Sequence, residues 1–253
     1  MVAQGHTSQA SAHRRYAATL LALFAVVFLA LGWKPSYRED WLLENVLVFV
    51  LLPGIVLSYR RLPLSKISYT ALFLFLCLHE VGAHYTYAEV PYDAWSQMLL
   101  GRDFNSIVGW DRNHFDRVVH FLWGLLLVYP AREVFLRVAD AKGFWAYLFP
   151  VLLVMSTSLL FELIEWGAVL VFGGDLGMAY LGTQGDIWDS HKDSLLATTG
   201  ALIASFVIAG VHSTLDRDFT REWVESLRVK HSEPMGEVAI ERMLEEREHD
   251  REA

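Results

Sequence analysis

Imidazoles and carboxylates recur in this sequence at three- and four-residue spacings. Glu80 with His84, Asp116 with His120, Glu162 with Glu165, and Asp186 with Asp189 and Asp193 would each share one face of a helix. Imidazole and carboxylate converging from several helices form a ligand set that Zn²⁺, Mn²⁺ or Fe²⁺ accepts. Carboxylates gathered without a cation repel one another, so that some must take up protons. The residues expected to hold such a metal are His84, Asp116, His120, Glu162, Asp186 and Asp189. Glu80 or Glu165 would remain as a free carboxylate for general-base work. A divalent ion there would acidify a bound water and polarise an acyl or phosphoryl oxygen. His79, about 100° around the helix from Glu80, reads as a supporting contact. No phosphate loop, dinucleotide fingerprint or nucleophile elbow is present. His79-Glu80 with His84 misses the HExxH spacing by one residue, and the fifth apolar stretch offers Glu-x-x-Glu where di-iron bundles carry Glu-x-x-His.

Taken singly, each group has an ordinary explanation. Asp116 and His120 could pair at an interface, Glu162 and Glu165 could face water, and Asp186 and Asp189 could be acids favoured at a helix start. Glu44 and Asn45 are compatible with capping. Their common depth, set by the elements that carry them, is what points to a site.

Those elements are apolar. Of 253 residues, 54% are hydrophobic and 20% charged, and mean hydropathy is +0.30, which disfavours a water-soluble globule and a disordered chain. A nucleic-acid binder would need a basic face that is missing here. The lone Cys77 cannot form an intrachain disulfide. A span needs about 20 mostly apolar residues, and six stretches qualify or come close: 16–33, 41–57, 67–85, 118–138, 144–172 and 194–211. The fifth is long enough to tilt or to project. The expected fold is therefore all-α, a polytopic membrane bundle of about six transmembrane helices. A short N-terminal segment (1–15) precedes the bundle (16–212), whose longest loop runs over 87–116 and carries Pro91, Gly101 and Gly109. An acidic tail follows (213–253). That tail holds 7 Lys/Arg against 12 Asp/Glu, five of the chain's eight net negative charges.

Lys/Arg placement orients the bundle. Arg14 and Arg15 precede the first stretch, Arg60, Arg61 and Lys66 crowd the second loop, Arg132, Arg137 and Lys142 mark the end of the fourth, and Arg217, Arg221 and Arg228 follow the sixth. Both termini are expected in the cytoplasm. Arg14-Arg15 before an apolar run also resembles a signal peptide with Ala30-Leu31-Gly32 as its cleavage site, although the run of about 18 residues is longer than the usual signal core. With this orientation five spans deliver their acids and imidazoles to the extracytoplasmic end, while the cytoplasmic halves remain almost wholly apolar. Ionisable groups within spans are costly and mark functional sites by default.

Several segments resemble a bacterial inner-membrane family of unknown function typified by YjdF: Asp40-Trp-Leu-Leu-Glu-Asn-Val-Leu-Val-Phe49, Gly82-Ala-His-Tyr-Thr-Tyr87 with Val90-Pro-Tyr92, Arg112-Asn-His-Phe-Asp-Arg-Val-Val-His-Phe121, Phe161-Glu162, Glu165-Trp166, and Tyr180-Leu-Gly-Thr-Gln-Gly-Asp-Ile-Trp-Asp189. They cover about residues 16–212. The resemblance implies a multi-helix protein of the bacterial inner (plasma) membrane and brings no catalytic role with it.

The functional expectation is a metal-dependent hydrolase or group transferase acting on a membrane lipid or lipid-linked substrate that enters sideways near Trp110, Trp166 and Trp188. A proton- or cation-coupled transporter is the first alternative, although carriers place their sites near the midplane. A non-catalytic scaffold using the aromatic loop, with Tyr87, Tyr92 and Trp95, is the second. Oligomeric state is left open.

Overall fold

The computed structural model describes residues 2–172, 183–230, 232 and 236–252. Among them there are eleven helices and no strand. In chain order these are α1 (Val2–Gly32), α2 (Arg38–Glu44), α3 (Val46–Ser58), α4 (Lys66–Tyr85), α5 (Tyr92–Leu100), α6 (Phe104–Val108), α7 (Phe115–Val138), α8 (Trp145–Phe172), α9 (Asp189–Leu215), α10 (Phe219–Ser226) and α11 (Gly236–Glu252). Six stretches are long and apolar enough to cross a membrane: Ser11–Gly32, Arg38–Ser58, Lys66–Tyr85, Phe115–Val138, Trp145–Val171 and Asp189–Leu215. The protein is an all-α integral membrane bundle. Its polarity is inverted relative to a soluble helix, as α8 shows: Glu162 and Glu165 are 6% and 7% exposed, while Leu159 and Leu163 on the outward face are 54% and 50% exposed.

The second span is broken. Asn45 separates α2 from α3, and its side-chain Nδ2 donates to the Trp41 carbonyl at 2.9 Å, competing with the backbone ladder. α8 has 28 residues and would run about 42 Å at 1.5 Å per residue, which exceeds a hydrocarbon core of about 30 Å. The long connection between α4 and α7 is more ordered than its Pro and Gly content suggests. α5 and α6 form within it, each ending on a left-handed glycine, Gly101 and Gly109.

Glycine fixes the crossing that matters most. A Cβ on Gly124 of α7 would sit 1.9 Å from the Ala197 carbonyl oxygen, and one on Gly200 of α9 would sit 2.1 Å from that of Phe121. The two backbones therefore touch, as small residues allow in membrane bundles. Below this crossing, Val128, Val151, Val154, Ala201 and Ala204 close an apolar core between α7, α8 and α9. α1 packs more loosely, with Phe24 against Val48 and Leu76. At the other end of the bundle from the acids, Ser65 and the Glu133 carboxylate cap the start of α4. Both Glu133 oxygens accept from the Ser65 N–H at 2.8 Å, and the Ser68 hydroxyl donates at 2.6 Å.

Candidate functional site

The Gly124–Gly200 contact locks α7 against α9 about one to two turns beyond their acids. Asp116 and His120 on α7 consequently meet Asp193 on α9: one ligand atom from each lies within 4.8 Å of the other two. His120 is 6% exposed and Asp193 2%. The His120 Nε2 faces Asp116 Oδ1 at 3.7 Å and Glu162 Oε1 at 3.4 Å, while Nδ1 stands 3.4 Å from the Ser158 hydroxyl. A proton on Nδ1 directed at Ser158 leaves the Nε2 lone pair turned toward the carboxylates.

More acids converge on the same point. The charges of Asp116, Glu162, Glu44 and Asp193 all bear on Glu165, and Asp116 also bears on Glu44, Glu162 and Asp193. Glu162 additionally reaches the Ser190 and Glu165 side chains. Among the described residues, one oxygen each of Glu44, Glu162 and Asp193 is buried without a hydrogen-bond partner. Three carboxyls, Asp116, Glu162 and Asp193, thus stand beside one imidazole, and Glu44 and Glu165 extend the acidic group to five carboxyls from four spans.

A second layer of acids sits just outside. Asp189 Oδ1 accepts from Arg112 Nη2 and, at 2.9 Å, from Arg117 Nη2, while Asp186 Oδ2 accepts from Arg117 and Lys192, in the first case at 2.5 Å. Hydrogen bonding to Lys192, then the Trp188 backbone N–H and Arg117, hold the Asp186 carboxyl well below the usual carboxylate range. Arg112 Nη1 also donates to the Thr183 carbonyl at 2.5 Å, and Gln184 Nε2 to that of Asn113 at 3.0 Å, so this rim fastens the approach to α9 onto α7. Gly182 of that approach lies outside the described residues.

The residues expected from sequence therefore divide. Asp116, His120, Glu162 and Glu165 come together. Asp186 and Asp189 adjoin them but are engaged by Arg112, Arg117 and Lys192, partners that face spacing on α9 alone cannot reveal. His84 is placed elsewhere: its Nδ1 lies 2.7 Å from the Leu31 carbonyl, and the adjacent carbonyl of His84 accepts from Ser36, so it clasps the end of α4 to the end of α1. Glu80 is fully buried against the Trp41 indole and the Asn45 amide, on a different face from the acids around His120. His79 stands where a supporting contact was expected, its Nδ1 at 2.5 Å from the Tyr87 hydroxyl. The Tyr87 ring can take that place because Gly82 leaves room; a Cβ there would meet it at 2.6 Å. Asp193 and Glu44 were legible as members of the acidic end but not as its nearest contributors. Asp193 was signalled by its i, i+4 relation to Asp189, and Glu44 only by its place at the start of the second apolar stretch.

Against this centre lies a cavity of about 260 Å³. Asp116, His120 and His79 stand on its wall among Phe75, Trp123 and Phe161. Leu51, Leu160 and Ile164 also line it and are exposed on the lipid-facing surface, so the cavity is reached from the side of the bundle.

Residues 16–214 match the family model described as "Predicted membrane protein (DUF2238)". The chain belongs to this family. It is also 35% identical over 195 residues to a protein of Escherichia coli (strain K12) named "Inner membrane protein YjdF", a match covering 77% of this chain and 89% of that one. No solved structure matches. The family match ends just short of α10, so the shared region is the bundle that builds the acidic centre, and the tail lies beyond it.

Proposed function

We propose that this membrane protein is a divalent-metal-dependent hydrolase or group transferase acting on a lipid or lipid-linked substrate. The observation that carries the reading is the trio of Asp116, His120 and Asp193, its ligand atoms within 4.8 Å of one another, beside a cavity open to the lipid side. One imidazolium would offset one carboxylate of the acidic group; a doubly charged cation held by the trio, with Glu162 beside it, would offset more and would engage buried oxygens that, among the described residues, have no hydrogen-bond partner. Zn²⁺, Mn²⁺ and Fe²⁺ all suit this mixed N/O set, and the metal would supply a water acidified toward neutrality.

The chain's own residues would do the rest. Glu165, a turn along α8 from Glu162 and part of the same acidic group, would be the base. In hydrolysis the water oxygen bonds to the acyl or phosphoryl centre while its proton passes to Glu165. The bond to the leaving oxygen then breaks, and that oxygen takes the proton from Glu165. The cavity receives the apolar part of the substrate. The relative's name supports placement in the bacterial inner membrane, and the Lys/Arg pattern supports an extracytoplasmic site with both termini inside.

Elemental analysis of the purified protein tests the reading. About one equivalent of tightly held divalent metal is expected, falling at least tenfold in His120→Ala/Glu162→Ala. Metal well below stoichiometric, and the same in the variant, would defeat it. The carrier alternative draws less support, because the apolar core of Val128, Val151 and Val154 closes the route beyond the site.

A further inference from the structure

The end of the bundle away from the acids contains a second, differently built site. An open chamber of about 890 Å³ is walled by Ser11, His13, Arg14, Arg60 and Glu133 together with Tyr59, Pro63 and Leu64. It shares Arg14, Tyr59 and Arg60 with an apolar slot of about 270 Å³ that runs between α1, α3 and α4 past Phe24, Leu52 and Leu72. The two together have the shape of an amphiphile, a head region carrying Arg14 and Arg60 that leads into an apolar groove.

Charge settles which amphiphile. Residues 1–38 and 46–79 contain no Asp or Glu. Among the described residues neither Arg14 nor Arg60 has a carboxylate within 4.0 Å. Glu133, the one acid on the chamber wall, is already engaged by Ser65, Ser68 and Arg137. Basic pockets between spans take anionic headgroups, and the loose packing of α1 leaves the slot for a chain. We propose that this chamber and slot bind one anionic glycerophospholipid of the surrounding leaflet, its phosphate between Arg14 and Arg60 and one acyl chain along α1. The acidic helix α11 could also answer the positive charge, but its mostly charged side chains would not fill an apolar groove.

The probe is phosphatidylglycerol, titrated onto the full-length protein in phosphatidylcholine nanodiscs and read by native mass spectrometry. Preferential retention of one phosphatidylglycerol is expected. Arg14→Gln/Arg60→Gln should weaken it about 30-fold, on the order of two arginines at a membrane surface. Ala18→Phe, which fills the slot, should weaken it about tenfold. Both Arg side chains are exposed, so unchanged thermal melting is expected to accompany the loss. Equal retention of the two lipids, an unchanged value in the double variant, or displacement by equimolar glycerol phosphate would each overturn the proposal. A gain of tenfold or more in Glu241→Gln/Glu245→Gln would assign the chamber to the tail and overturn it as well.

Discussion

Two groups of carboxylates lie within a few residues of each other on the α9 side of this bundle, and their surroundings differ. At the rim, Asp186 and Asp189 are matched by Arg112, Arg117 and Lys192. One turn deeper, Asp193 joins Asp116 and Glu162 beside His120, with Glu165 and Glu44 in the same acidic group and, among the described residues, buried oxygens that have no hydrogen-bond partner. Paired acids at the rim hold α7 to the approach of α9 through hydrogen bonds from Arg112, Arg117 and Lys192. Unpaired acids at depth contribute nothing to folding that apolar side chains would not contribute better. The contrast separates acids that build the scaffold from acids that the proposed metal would engage.

Both groups depend on the α7–α9 contact, so the largest effect should come from separating the helices. Gly124→Leu must displace α9, since even a Cβ falls 1.9 Å from the Ala197 carbonyl oxygen. Overpacking usually costs about 1–3 kcal/mol; against rigid backbone the loss should lie at or above the top of that range. Gel filtration in detergent should show loss of the monodisperse species, and with it both the rim and the deep cluster. A well-folded Gly124→Leu protein would mean that the helices can part without consequence.

Next come substitutions that should divide the two groups. Asp193→Ala should lower retained metal about 10- to 100-fold while leaving thermal stability unchanged or raised, because it removes one of several like charges. Asp189→Ala should do the opposite. It removes the carboxylate that both Arg112 and Arg117 donate to and leaves them only Asp186, so the loss should fall below the about 3–5 kcal/mol of a fully broken buried pair, with metal content altered only through misfolding. If both variants lose metal and stability to the same degree, the layers are one unit and the distinction between them fails.

How far the sequence went follows the same division. Six spans, the shared end for acids from five of them, and the α7 pair were readable because apolar length and i, i+4 spacing are local properties. The fates of His84 and Glu80 were not, because each depends on which way a helix is turned against a neighbour. Trp41 and Asn45 cover Glu80, and the end of α1 receives His84. Arg112 and Arg117 fall outside the Lys/Arg clusters that orient the bundle, and nothing in one dimension shows that a segment some 70 residues later folds back onto them. Gly124 and Gly200, which set that fold-back, look in the sequence like any small residues within an apolar run.

The smallest effect expected is a pH dependence confined to the rim. Hydrogen bonds from Lys192, from the Trp188 backbone and from Arg117 hold the Asp186 carboxyl below its ordinary range in the folded protein. A depressed acid stabilises the fold at every pH above its unfolded value of about 3.9, and that contribution disappears as pH falls toward the folded value. The difference in melting temperature between the native chain and Asp186→Asn should accordingly stay flat from pH 8 to about pH 5, then shrink below about pH 4. Because Lys192 is half exposed, the difference should also decline in high salt. Among the described residues the deep acids accept no hydrogen bond from a Lys or Arg, and Arg112 and Arg117 bear on Asp116, and Arg117 on Asp193, only across space, so the deep cluster predicts neither that plateau nor that salt response. A melting difference that instead grew on acidification would place Asp186 among the unpaired acids and erase the boundary between the two layers.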